Sequence, residues 1–128
     1  MKRAIQTHAA PAALGPYSQA IEHDGWIFCS GQIALDAGAG KLVAGGIEVE
    51  TRHVLENLRE ILVAAGAGLK DVVKTTIFLS DLKDFEVVNR IYSEHFEQPY
   101  PARSTVQVAA LPRGARVEIE AIARRSGV

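Results

Sequence analysis

The sequence predicts an α+β fold, one mixed β-sheet with two helices packed on one face, and three observations predict it. Apolar alternation of period two marks strands near both ends of the chain, two stretches of helical period lie between them, and a β-branched run separates the helical stretches. A chain of 128 residues, 48% of them hydrophobic, suits a single domain, 1–128, with a sizeable core.

Residues 2–10 carry a weak pattern and predict a short edge strand. Pro11 and Gly15-Pro16 then predict a rigid loop ending at Tyr17. Residues 18–22 and 25–30 are strand-like and flank His23-Asp24-Gly25, where Asp-Gly is a strong hairpin signal. Gly31 follows the second run, as a plain turn or as a place where something approaches the backbone closely. Residues 36–46 are Gly-rich, but Lys41 is followed by Leu42 rather than Ser or Thr, so the nucleotide-loop signature is not met. Ile47, Val54, Leu55, Leu58, Ile61, Leu62 and Ala65 then form one helical stripe, which Gly66 is placed to stop. Residues 71–80 return to strand chemistry. Asp81 and Asp84 sit where N-caps belong, ahead of Phe85, Val88, Tyr92 and Phe96 at helical spacing, and Pro99 and Pro101 end that helix.

Residues 101–123 predict a closing antiparallel hairpin around Leu111-Pro112-Arg113-Gly114-Ala115. Ser104, Val106, Val108 and Ala110 would share the buried face with Val117, Ile119, Ala121 and Ala123. That register sets Glu118 opposite Ala109 and leaves Arg103 roughly 20 Å away along the sheet, so one pocket holding both would need a second copy of the chain. With both helices on one face, the other face, expected to carry Arg103, Thr105 and Gln107, meets water or a partner.

A net charge of −1 gives no global field toward nucleic acid or anionic membrane. One cysteine, Cys29, excludes an internal disulfide and suits a reducing compartment; Gln6, His8 and Pro11 interrupt what a signal peptide would need, so a cytoplasmic protein is expected. Four scattered histidines predict no metal site. Cys29 alternates with Phe28 on an apolar strand and reads as a buried, inert thiol. What remains is an arginine able to hold a carboxylate, and carboxylates able to move protons.

Gly15-Pro16-Tyr17, Ser30-Gly31-Gln32, Lys74-Thr75-Thr76, Val88-Asn89, Pro101-Ala102-Arg103-Ser104 and Val117-Glu118-Ile119-Glu120-Ala121 resemble, in order and spacing, the Rid/YjgF family. The resemblance spans nearly the whole chain. It implies a chorismate-mutase-like fold, a homotrimer with clefts between subunits, and no cofactor or metal. It also implies hydrolysis of 2-imino or enamine acids, 2-iminobutanoate and 2-iminopropanoate, to 2-oxo acids and ammonia. Arg103 matches the family's carboxylate-binding arginine, and Glu118 the acid that positions or activates water. Tyr17, Ser30, Gly31 and Asn89 match pocket positions. Thr105 stands where many members carry a pocket cysteine, a position thought to act through backbone and shape, so the resemblance implies retained activity without thiol-based regulation. Alternatives are deamination of an aminoacrylate, a non-catalytic trimer that binds small carboxylates as a sensor or helps other proteins fold, and a ribonuclease, which the charge balance disfavours.

Overall fold

Alternation at the amino end produces three strands, β1 (Arg3–Ile5), β2 (Ala20–His23) and β3 (Trp26–Gln32), in the computed structural model, which describes residues 1–127. Asp24 and Gly25 join the last two at positive φ, 52° and 82°, as a two-residue turn between right-twisted strands demands. Glycine takes that geometry freely and aspartate tolerates it.

The two helical stripes form as the pattern predicts. α1 (Gly46–Ala64) buries Val54, Leu55, Leu58, Ile61 and Leu62. After β4 (Val72–Leu79), α2 (Phe85–His95) buries Val88, Ile91 and Tyr92. Only one of the two expected caps forms: the Asp81 carboxylate accepts from Lys83 N–H at 2.9 Å, whereas Asp84 makes no side-chain cap bond. These helices share a core with Ile27, Ile77, Leu79, Val117 and Ile119 from one face of the sheet.

The closing strands, β5 (Ala102–Gln107) and β6 (Val117–Arg124), are both present but do not pair with each other. The strand order is β1-β2-β3-β6-β4-β5, with β6 antiparallel to both its neighbours and β5 parallel to β4 at the edge. The predicted hairpin is therefore wrong, and with it the pairing of Glu118 with Ala109. Burial decides the placement. Val117, Ile119, Ala121 and Ala123 are all buried and claim a central position, while no residue of β5 is fully buried, which fits an edge.

That correction also exchanges the faces of β5. Arg103, Thr105 and Gln107 pair with Thr75, Ile77 and Leu79, whose side chains are buried beneath the helices, so they lie on the helix-covered side. Ser104 and Val106 point to the open side instead, beside Thr76, Phe78, Glu118 and Glu120. The other sheet face is uncovered, as expected, but it is partly apolar: Trp26, Phe28 and Val106 are 39%, 46% and 42% exposed. No helix among the described residues is long and apolar enough to cross a membrane.

Leu58 is wholly buried between helix and sheet. Leu58→Ala is expected to lower stability by about 3 kcal/mol in chemical denaturation; a loss under about 1 kcal/mol would mean this core is not close-packed there.

Candidate active site

Two clusters hold the residues that the sequence singles out. The first surrounds Glu118. β3 and β6 lose regular register between Cys29 and Gln32, and the irregularity sets Gly31 against the Glu118 side chain. A Cβ at Gly31 would stand 2.6 Å from Glu118 Oε2, so this position requires glycine if the carboxylate is to stay where it is. Gly31, Glu118 and Tyr17 line a small cleft of about 80 Å³, with Pro11, Leu14, Ile33, Leu35 and Pro112 as apolar walls. Tyr17 is half-exposed, its hydroxyl accepting from Leu14 N–H at 3.1 Å. Ser30 lies beside Gly31, with its Oγ committed to the Ser18 carbonyl at 2.6 Å.

Neighbouring elements hold this cleft from behind. Asn57 Nδ2 donates to the carbonyls of Ile33 and Leu35 at 3.3 and 3.1 Å, fixing the wall to α1. The buried Glu50 carboxylate accepts from Arg116 N–H at 2.9 Å, two residues before Glu118. Burial raises the Glu118 carboxyl above the usual carboxylate range, and the like charge of Glu120 on the same strand face adds to the rise. A carboxylate so placed is a stronger base than one in water.

The second cluster surrounds Arg103. Its Nη2 donates to Asn89 Oδ1 at 2.6 Å, and its guanidinium carbon lies over two rings of α2, 4.9 Å from the centroid of Tyr92 and 5.6 Å from that of Phe85. Arg103, Asn89 and Tyr92 line a pocket of about 340 Å³ with Ser93, Tyr100 and Pro101. A guanidinium carries five N–H donors, so with one bonded to Asn89 its fork can still hold a carboxylate. Thr105 follows on the same side of β5, and its Oγ1 is buried with no hydrogen-bond partner among the described residues. A larger cavity, about 610 Å³ between Leu69 and Pro101, contains none of the expected residues.

One chain does not bring the two clusters together. Arg103, Thr75 and Ala121 form one row across three strands; Glu118, three residues from Ala121, points to the other face. Two strand spacings and three residues of rise separate the Cα atoms of Arg103 and Glu118 by roughly 14 Å, with the sheet itself between the side chains.

A family model described as Endoribonuclease L-PSP matches residues 7–125, and this is the Rid/YjgF family. The chain belongs to that family. It is 54% identical over 123 residues to the 2-iminobutanoate/2-iminopropanoate deaminase of Mus musculus, covering 96% of this chain and 91% of that one. Among solved structures, a Thermotoga maritima protein, provisionally described as an endoribonuclease, superposes with TM-score 0.96 at 52% identity, covering 99% of this chain and 100% of the other. E. coli TdcF, solved with serine bound, superposes with TM-score 0.88 at 42% identity, covering 97% and 99%.

Tyr92 and Phe85 were legible only as core residues of a helix, although Phe85, Asn89 and Tyr92 share one helical stripe that the edge strand faces. Cys29 is buried as expected, and burial pushes its thiol up to about 12, which leaves it no nucleophile at neutral pH.

Because the Glu118 carboxyl is raised in the folded state, its ionisation opposes folding, and that cost grows as pH rises from the ordinary carboxylate range to the raised value and is constant above it. Glu118→Gln carries no charge at any pH. The variant is expected to gain stability over the wild type at about pH 8 and to gain less at about pH 4, in denaturant titrations at both; a gap that does not widen with pH would contradict the raised carboxyl.

Proposed function

We propose that this protein is a 2-iminobutanoate/2-iminopropanoate deaminase that acts as a homotrimer in the cytoplasm, with each site assembled from two subunits. The similarity to the mouse deaminase, 54% over nearly the full length of both chains, carries the reading. In it, Arg103 holds the substrate carboxylate, and Asn89 and Thr105 complete that half of the pocket. The adjoining subunit contributes Glu118, Gly31, Ser30 and Tyr17. The separation of Arg103 and Glu118 across the sheet supports two-subunit sites, and the uncovered face with Trp26, Phe28 and Val106 supplies apolar surface that a trimer would bury.

The chemistry asks little of the protein. The C2 carbon of a 2-imino acid is electrophilic, so a water oxygen adds to it while the Glu118 carboxylate takes a proton. The C=N electron pair moves to nitrogen, which takes that proton back from Glu118 to give the carbinolamine. A solvent proton then makes the nitrogen an ammonium leaving group, its C–N bond breaks as the hydroxyl oxygen forms the carbonyl, and the hydroxyl proton returns to solvent as ammonia and the 2-oxo acid leave. Orientation of carboxylate and water supplies the rate gain, and no covalent enzyme intermediate is needed. Serine bound to the E. coli relative supports a small amino-acid-like ligand over the ribonucleic acid in the family model's description.

A threonine dehydratase run with semicarbazide releases 2-iminobutanoate and traps it as an adduct. Added protein is expected to reduce the trapped adduct, Arg103→Ala to lose at least about tenfold of that effect, and the molar mass in solution to equal three chains. No protection from trapping by the wild type, or equal protection by Arg103→Ala, would overturn the assignment. An aminoacrylate offered in parallel tests the neighbouring substrate class.

A further inference from the structure

An arginine that recognises a carboxylate by its fork loses affinity when the fork wanders, and a long side chain on an edge strand wanders unless something flat holds it. Thr75 is the ladder partner of Arg103 across β4 and β5, on the same face and 0% exposed. The Thr75 hydroxyl lies 2.7 Å from the Tyr92 hydroxyl, so a tyrosine reaching down from α2 is bonded at its tip to the residue beside Arg103. The same tyrosine ring lies beneath the guanidinium, 4.9 Å from centroid to carbon, and Phe96 packs against it with ring centroids 4.4 Å apart. Tyr92 is thus bonded at one end, backed by Phe96 and loaded by Arg103, while Asn89 engages the guanidinium through Nη2.

We propose that Tyr92, pinned by Thr75, is the positioning residue that sets the plane of the Arg103 guanidinium for carboxylate capture. This rests on the reading of Arg103 as the carboxylate holder. It goes beyond that reading in assigning substrate affinity to two buried residues whose composition and burial otherwise mark them as core. Burial also raises the Tyr92 hydroxyl above its ordinary range, so it remains a neutral O–H that can stay bonded to Thr75 across the working pH. Their role falls on affinity more than on turnover, because Tyr92 and Thr75 touch the group proposed to hold the carboxylate and not the carboxylate of Glu118, which the adjoining subunit is proposed to bring to the reacting carbon.

Four variants of the full chain test it: Tyr92→Leu, Tyr92→Phe, Thr75→Val and the double Tyr92→Phe/Thr75→Val. Affinity for the product acid 2-oxobutanoate is measured by calorimetry, KM and kcat by the trapping assay, and the Arg103 Nε–Hε resonance by NMR. Tyr92→Leu is expected to weaken binding and raise KM by at least about tenfold with kcat held within about threefold. Tyr92→Phe keeps the ring and costs about threefold, as does Thr75→Val, and the double variant is no worse than either single, since neither hydroxyl is then left unpaired. The Arg103 Nε–Hε signal is shifted by the ring in the wild type, stays shifted in Tyr92→Phe and moves to the random-coil position in Tyr92→Leu. Should Tyr92→Leu fail to fold, the two hydroxyl variants and their double decide. A fall in kcat at constant KM, additive losses in the double, or an unshifted wild-type Arg103 signal would overturn the proposal. If the wild type neither protects imine nor binds 2-oxobutanoate, the deaminase reading fails, and the resonance alone still decides whether Tyr92 holds Arg103.

Discussion

Side chains alternate along a strand, and in this sheet that alternation separates the two charges on which the chemistry is proposed to rest. β6 runs between β3 and β4, so the apolar row Val117, Ile119, Ala121 and Ala123 is committed to the helices. Glu118 is committed by the same act to the other face. Through Thr75, the register of β5 commits Arg103 to the helix side. Glu118 cannot change face without a one-residue slip that would also expose the buried row of β6, and Arg103 cannot without giving up its ladder position beside Thr75.

The two halves are also built differently. On the helix side the guanidinium lies on the buried ring of Tyr92 and the exposed ring of Phe85, so the carboxylate recognition proposed for Arg103 would draw its rigidity from the same packing that stabilises α2. On the open side the carboxylate lies in a cleft held from behind by Glu50 and Asn57, and its ionisation is resisted by burial and by Glu120. A raised carboxyl costs stability at neutral pH. The fold tolerates that cost next to a glycine whose absent side chain is what admits the carboxylate.

Much of this was legible in the residues. The helical stripes, the Asp-Gly turn and the strand 72–79 follow from periodicity and turn chemistry, because each is a local property. The partner of β5 was not legible, since alternation says which residues share a face and nothing about which strand lies alongside. Read as a hairpin, residues 101–123 put Arg103 on the uncovered face; the central placement of β6 puts it under α2. The motif match located Arg103, Asn89, Gly31 and Glu118, and the structure sorts them into two clusters. Tyr92 stayed hidden because an aromatic at helical spacing looks the same whether it only fills a core or also carries a guanidinium.

Subunit mixing tests the two-subunit site most directly. Arg103→Ala and Glu118→Ala chains, each inactive alone, are unfolded together in equal amounts and refolded. Random reassortment makes about three quarters of the trimers mixed, each with one intact site in three, so about a quarter of wild-type imine hydrolysis should return. If mixed trimers form and no activity returns, Arg103 and Glu118 serve the reaction from within one chain, and the account given by the sheet faces is wrong.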